Sequence, residues 1–244
     1  MKNKIIALIP ARKGSERLKN KNIVKLFGLP LIAHTIISAR KSNLFNKIVV
    51  STNSLKYAKI AKKYGAEVPF LRPNSISKNN SKDFGFFLHL INWLKKNENY
   101  SPDLIVQLRP TQPYRDVKFI DKAIQIMMRD KKADSLRSIS VPERTPYKMW
   151  KIKGNYLDYI FPNTKFQKKE YFNLDRRKLQ DIYWHDGVID IVKTKTIKKY
   201  NNLTGKKIAY IKNNKEFLVD IDSKKDLNLA KIFIKKKFIK LNDN

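Results

Sequence analysis

Arg12, Lys13, Arg17, Lys19 and Lys21 crowd around Gly14-Ser15, directly after the apolar run Ile5-Ile6-Ala7-Leu8-Ile9. A strand that opens into a Gly/Ser loop full of cations has the makings of a polyphosphate cradle. Backbone N–H groups can approach an anion closely there, and the Arg and Lys side chains neutralise its charge. The spacing matches neither G-x-x-x-x-G-K-[ST] nor G-x-G-x-x-G, which excludes an ATP-hydrolysing P-loop and a dinucleotide fingerprint. A solvated turn in a lysine-rich chain is the plainer alternative. Its position after the first strand of an α/β pattern favours a ligand site, because such sheets bind ligands at the carboxyl ends of their strands.

Two more groups of residues could share in that chemistry. Leu108-Arg109-Pro110-Thr111-Gln112-Pro113-Tyr114-Arg115 follows another strand-like run, with prolines to stiffen the loop and Arg109, Thr111, Gln112 and Arg115 as donors for phosphate or carboxylate. The other is Leu218-Val219-Asp220-Ile221-Asp222-Ser223 with Asp226. In a strand, residues two apart face the same side, so Asp220 and Asp222 would offer two hard oxygen ligands together. Beside phosphates, such a pair suits Mg²⁺. Capping of the last helix by Asp222 is the alternative, and it leaves Asp220 unexplained. His185, in Tyr183-Trp184-His185-Asp186-Gly187, reads equally as a base or a packed residue, while His34 and His89 sit in helical patterns as structural residues. No cysteine nucleophile, G-x-S-x-G elbow or H-E-x-x-H pair is present.

The elements that must position these residues alternate. Strands are predicted at 5–9, 47–51, 67–70, 103–108, 133–139, 187–192 and 207–211. Helices are predicted at about 30–41, from the Thr52-Asn53-Ser54 turn to Tyr64-Gly65, and at 84–96, 115–129 and 223–238. This is the pattern of βαβ units and predicts an α/β fold, a mostly parallel, doubly wound sheet. From about Val141 to Asp181 the pattern breaks into aromatic pieces punctuated by Pro142, Pro146, Gly154 and Pro162: Tyr147, Trp150, Tyr156, Tyr159, Phe161, Phe166, Tyr171 and Phe172. The stretch is too long for an ordinary loop and too apolar for a linker. It reads as an arm inserted into one domain spanning 1–244, packing on its own domain or on a partner subunit.

Composition narrows the class. At 244 residues and 42% hydrophobic content, the chain can bury one sizeable core. No apolar run approaches the roughly 20 residues needed to cross a bilayer, so no membrane partner is expected. The short, charged start does not resemble a signal peptide. The absence of cysteine excludes disulfides and thiolate metal sites and fits a reducing cytoplasm. A net charge of +32 would ordinarily point to nucleic acid. Here Lys outnumbers Arg several-fold and is scattered along the chain, except in the tail from Lys231 to Lys240. That pattern predicts solvated faces rather than a specific nucleic-acid interface.

Taken in order, Ile9-Pro10-Ala11-Arg12 with Gly14-Ser15 and Lys21-Asn22, Ser51-Thr52-Asn53, Arg109-Pro110-Thr111-Gln112-Pro113 with Arg115, and Asp220-Ile221-Asp222 with Asp226 resemble the acylneuraminate (sialate or nonulosonate) cytidylyltransferases. The resemblance spans nearly the whole chain. It implies a nucleotide-diphospho-sugar transferase-like fold, Mg²⁺ as cofactor, a homodimer, and transfer of CMP from CTP to a nonulosonic acid. By the same resemblance, Arg12, Lys21 and Asp222 are catalytic, with Arg12 and Lys21 on the triphosphate and Asp220 and Asp222 on the metal. Ala11, Gly14, Ser15 and Asn22 shape the nucleotide pocket, and Ser81 faces the base. Arg109, Thr111, Gln112, Arg115 and Asp186 face the sugar, and the 141–181 insertion is the dimerisation arm. Three positions depart from the family pattern: Arg109 where Gln is frequent, Asn53 for Asp, and Asp186 for Asn. They leave the nucleotide half intact and place the differences on the sugar side, so legionaminic acid or a deaminated sialic acid is as good a candidate as N-acetylneuraminate. The alternatives are transfer to a 3-deoxy-octulosonate or a sugar phosphate, or a basic nucleic-acid-binding protein without catalysis.

Overall fold

The computed structural model of the chain describes residues 3–161, 170–213 and 219–242, with side chains as far as Phe233. Pro162, Phe166, Leu218 and most of the Lys231–Lys240 tail therefore have side chains outside the described residues. The chain divides into two compact units, Met1–Ser138 with Gly187–Asn244, and Ile139–Asp186.

The main sheet has the order β10-β6-β9-β5-β1-β4. Its strands are β1 (Ile5–Pro10), β4 (Lys47–Ser51), β5 (Leu104–Gln107), β6 (Ser135–Ser140), β9 (Trp184–Lys193) and β10 (Ile208–Lys212). β1 pairs in parallel with β4 and β5, while β9 runs antiparallel to β5. A small hairpin of β2 (Lys25–Leu26) and β3 (Leu29–Pro30) follows the cationic loop. Its two-residue turn needs positive φ twice, met by Phe27 (47°) and Gly28 (78°).

The unbroken apolar run of β1 is explained by burial on both faces, since successive strand residues point to opposite sides. Ile5, Ala7 and Ile9 join one core with Ile32 and Ile36 of α1 (Leu31–Lys41), Tyr57 of α2 (Leu55–Lys63) and Ile120 and Ile124 of α4 (Val117–Arg129). Ile6 and Leu8 join the other with Phe87, Leu90 and Leu94 of α3 (Asp83–Glu98) and Ile197 of α5 (Thr194–Tyr200). A third cluster brings Leu18 and Leu26 against Ile221 and Ala230, the latter on α6 (Lys224–Asn242). This cluster seats the Asp220–Asp222 segment beside the cationic loop.

Several expectations need correction. The stretch 67–70 is no strand and makes only isolated parallel bridges, Val49 to Glu67 and Thr52 to Leu71. Residues 219–222 are irregular; the two aspartates share a side because Ile221 is buried between them, not because a strand alternates. Nothing in the sequence pattern marks α5, since Thr194–Tyr200 holds a single large aliphatic residue, Ile197, and no apolar period. α4 begins at Val117, capped by Asp116, rather than at Arg115.

Unit 139–186 contains an antiparallel hairpin, β7 (Trp150–Lys153) with β8 (Tyr156–Tyr159). Trp150, Tyr159 and Phe172 cluster with ring centroids 4.8–5.9 Å apart. The cross-strand pair Ile152 and Leu157 lies open, at 83% and 62% exposure.

The start of α6 is closed by a capping box. Asp226 accepts from the N–H groups of Asp222 (3.1 Å) and Ser223 (2.7 Å) and from Ser223 Oγ (2.8 Å), while Asp226 N–H donates to Ser223 Oγ (3.3 Å). Capping thus falls to Ser223 and Asp226, leaving the Asp222 carboxylate for another role. Burial works to raise the Asp226 pKa, but these hydrogen bonds outweigh it and hold the carboxyl below its ordinary value. A carboxylate with a depressed folded-state pKa adds stability above its unfolded value of about 3.9 and loses it as pH falls through the folded one. Urea denaturation of wild type and Asp226→Asn should therefore differ at pH 7, and the gap should narrow steadily below about pH 4.

Candidate active site

The carboxyl ends of β1 and β5 open onto a cavity of about 270 Å³ in the first unit. From the cationic loop, Pro10, Arg12, Ser15, Lys21 and Asn22 line it; from the far end of the chain come Asp220 and Asp222. Arg109, Pro110 and Thr111 form another wall, facing Arg72, Lys78, Ser81 and Asp83. Five cationic side chains thus meet three carboxylates, a balance of +2, which suits a polyanion. A larger depression of about 400 Å³, lined by Lys131, Lys193, Lys195 and Lys198, contains none of the predicted residues.

The loop is tied down from several directions. Ala11 N–H donates to Ser51 O (2.9 Å), and Lys13 N–H donates to Asn53 Oδ1 (2.8 Å). Asn22 Nδ2 donates to Arg12 O (3.0 Å), and Arg12 Nη1 donates to Gly14 O (2.8 Å). Gly14 has φ +98°, a backbone conformation that side chains rarely adopt. Ala11 is buried in the core, and neither Ala11 nor Gly14 lines the cavity; both act on the loop's path. Asn53, a departure from the family pattern, serves through its carbonyl oxygen, an atom that Asp would also supply.

Lys21 Nζ donates to Asp222 Oδ1 across 201 positions of sequence, and Arg17 Nη1 lies 3.7 Å from Asp222 Oδ2. Asp220 is exposed and makes no ion pair among the described residues. Ser81 lines the cavity, its Oγ accepting from Lys78 N–H (2.9 Å).

The 109–115 loop divides in two. Arg109 reaches the cavity, donating to Asp190 (Nη1, 2.6 Å) and Asp83 (Nη2, 3.0 Å), and Thr111 lines the wall beside it. Burial works to lower the Arg109 pKa, yet Asp190 and Asp83 outweigh it and hold the guanidinium above its ordinary value. Gln112 and Arg115 are buried and do not line the cavity. Arg115 donates to the carbonyls of Val188 (2.6 Å), Gln112 (2.6 Å) and Arg109 (2.6 Å) and to Thr35 Oγ1 (3.2 Å). This corrects the expectation of ligand donors there: the guanidinium satisfies two carbonyls of its own proline-broken loop and one of β9. Asp186 belongs to the second unit, where it is buried and accepts from Ser140 Oγ (2.6 Å). His34 bonds Leu26 O (2.8 Å), and His89 meets the Phe70 ring edge-on at 4.4 Å, both in structural roles.

Arg72 and Asp83 were hidden in what reads as a polar loop and a helix start. Arg72 is buried, donates to Ser51 Oγ (2.9 Å) and Ser51 O (2.6 Å), and lies over the Phe86 ring at 4.6 Å. Burial pulls its pKa down to about 10, Asp83 opposing and Arg12 adding, so it stays charged at neutral pH. The one sequence signal was an arginine placed just past a strand-like run, at a ligand-binding edge.

A family model described as cytidylyltransferase matches residues 6–237. The chain belongs to the cytidylyltransferase family. Within that family it is 31% identical over 235 residues to an N-acylneuraminate cytidylyltransferase of Escherichia coli, covering 94% of this chain and 52% of the relative. It is 40% identical over 123 residues to a CMP-N,N'-diacetyllegionaminic acid synthase of Legionella pneumophila, covering 50% of this chain and 53% of the relative. The chain thus spans about half the length of the E. coli relative, and the Legionella match takes in about half of each chain. A Campylobacter coli relative, post-translational flagellin modification protein B, is 29% identical over 244 residues, with 99% of each chain covered. The fold is shared with a CMP:2-keto-3-deoxy-manno-octonic acid synthetase complexed with CTP, at TM-score 0.68 and 14% identity, covering 96% of this chain and 100% of that one.

The Asn53 contact yields a simple check on the loop. Asn53→Asp should keep the bond to Lys13, whereas Asn53→Ala should cost about 1 kcal/mol in urea denaturation and speed exchange of the Lys13 amide.

Proposed function

We propose that the protein transfers CMP from CTP to the anomeric hydroxyl of a nonulosonic acid, releasing pyrophosphate. The observation that carries this reading is the meeting of the Arg12–Lys21 loop and the Asp220/Asp222 pair on one cavity at the carboxyl ends of parallel strands. The names of the E. coli and L. pneumophila relatives support an acidic nine-carbon sugar as acceptor. The chemistry suits a cytoplasmic location, where CTP is made.

Mg²⁺ fits the donor set. Among the described residues no cluster of three or more His, Cys, Asp or Glu is arranged to hold a metal ion, so a bound ion would draw on Asp220, Asp222, substrate phosphate and water. When bound, Mg²⁺ supplies charge neutralisation at the α-phosphate and acidifies an oxygen that it polarises. The protein's own groups do the rest. Arg12 and Lys21 take up the charge that develops on pyrophosphate as the bond to the α-phosphorus breaks. Lys21, held by Asp222 before substrate arrives, sits within reach of both partners. Arg72 adds a fixed charge on the opposite wall, since its bonds to Ser51 and its stacking on Phe86 leave it little freedom. Such a reaction depends on in-line positioning and charge neutralisation more than on covalent help.

The open Ile152/Leu157 pair and the aromatic cluster of the second unit support a homodimer built through that hairpin. Ile152→Glu combined with Leu157→Glu should yield a monomer in sedimentation, and a dimer persisting in the double variant would remove the hairpin from the interface.

The assay is CTP, Mg²⁺ and a panel of nonulosonic acids with a 3-deoxy-octulosonate as competitor, read as pyrophosphate release. Wild type should turn over a nonulosonic acid, lose activity with EDTA and regain it with Mg²⁺. Asp222→Ala should cost about a hundredfold or more in kcat. Full activity of that variant would overturn the metal assignment, and preference for the octulosonate would overturn the acceptor.

A further inference from the structure

Arg109 is the cavity residue most dependent on support from elsewhere. Its side chain is 30% exposed, and behind it lies Asp190 on β9, whose side chain is only 3% exposed. Asp190 Oδ2 accepts from Arg109 Nη1 at 2.6 Å, and Asp190 Oδ1 lies 3.3 Å from Arg137 Nη1. Arg137 is itself held by Leu203 O (3.0 Å) and Thr204 Oγ1 (3.4 Å). A chain of contacts therefore runs from the 203–204 loop through Arg137 and Asp190 to Arg109, and ends on Asp83 at the cavity wall. Gly187 lies beside it: a Cβ there would make ordinary van der Waals contact with Arg109 Nη1 at 3.5 Å, and the backbone at φ +68° favours glycine.

The charges explain why so buried a carboxylate is tolerated. Two guanidiniums face two carboxylates, so the group is neutral as a whole. Without Arg137, Arg109 would sit between Asp190 and Asp83 in a net negative patch that repels an acid. A buried carboxylate with one guanidinium on each side is also hard to displace, because removing either partner leaves an uncompensated charge. Asp83, at 42% exposure, is a far weaker anchor. Arg109 has a long flexible stem, and Asp190 is what restricts its guanidinium to one place.

We propose that Asp190 is a positioning residue for acceptor recognition: it fixes Arg109 so that the guanidinium meets the anionic sugar, and it touches neither sugar nor nucleotide itself. This rests on the reading of the cavity as a nonulosonate cytidylyltransferase site with Arg109 on its sugar side.

The test is a double-mutant cycle read as separate KM values for acceptor and CTP. Asp190→Asn is nearly isosteric and should raise the acceptor KM about tenfold, with CTP KM and kcat changed less than about twofold. In an Arg109→Gln background, which should itself raise the acceptor KM, the same substitution should have almost no further effect. An equal effect in both backgrounds would overturn the proposal, as would a parallel rise in both KM values with a lowered Tm, which marks a merely structural role. If Asp190→Asn does not fold, Arg109→Lys provides the second arm. It keeps the charge but loses the fork between Asp190 and Asp83, so an unchanged acceptor KM would count against positioning. Failure of the underlying functional reading looks different: wild type would release no pyrophosphate with any nonulosonic acid.

Discussion

Ile221 is where distant parts of the chain are joined into a site. Its side chain is fully buried beside Leu18, Leu26 and Leu31, and its N–H donates to Thr111 O at 2.9 Å. One residue thereby ties the C-terminal segment to the cationic loop and to the loop after β5. The aspartates on either side line the cavity, with Asp222 against Lys21. Loss of that plug would release the carboxylates and one wall of the cavity together. Full burial of a large aliphatic side chain, roughly 1.5–3 kcal/mol, outweighs the fraction of a kcal/mol expected from the partly exposed Lys21–Asp222 pair. Apolar packing sets this geometry, and the ion pair follows from it.

The cavity is a balance of charges more than a basic patch. Its cations are held by different means: Arg12 by the carbonyl of Gly14, Arg72 by Ser51 and a ring face, Arg109 by two carboxylates, and Lys21 by Asp222. Burial works to lower the pKa of both Arg72 and Arg109, yet their net shifts run in opposite directions. With Asp83 more distant and Arg12 nearby, burial prevails at Arg72; at Arg109, Asp190 and Asp83 prevail. The site therefore keeps two anchored guanidiniums on its walls and an ammonium paired with Asp222.

The net charge of +32 has little to do with this. Five cations line the cavity against three carboxylates, and the other Lys and Arg residues lie elsewhere along the chain. A charge of that size attracts anions at long range, while the cavity's own field comes from a handful of groups. Among the described residues no helix is long and apolar enough to cross a membrane.

Local chemistry made much of this protein legible from its sequence. The alternation of apolar strands and amphipathic helices, the glycine in the cationic loop and the prolines after β5 each act within a few residues, so their meaning survives without a partner. The α/β sheet and the place of the cationic loop after β1 could be read that way; Asp220 and Asp222 share a side through the burial of Ile221, not through the strand alternation that their spacing suggests. What required the tertiary structure were the decisions made by burial between distant segments. Arg115 looks like a ligand donor and is a clamp on loop carbonyls; Asp226 looks like a member of the acidic motif and is a helix cap; Arg72 looks like loop polarity and is a wall of the site. Asp190 is invisible in the sequence, an acid within an apolar strand, until Arg109 and Arg137 are seen on either side of it. A side chain's type limits the bonds it can make, but which of them it makes depends on what the fold brings within about 3 Å, and for a charged group on how much water the fold removes.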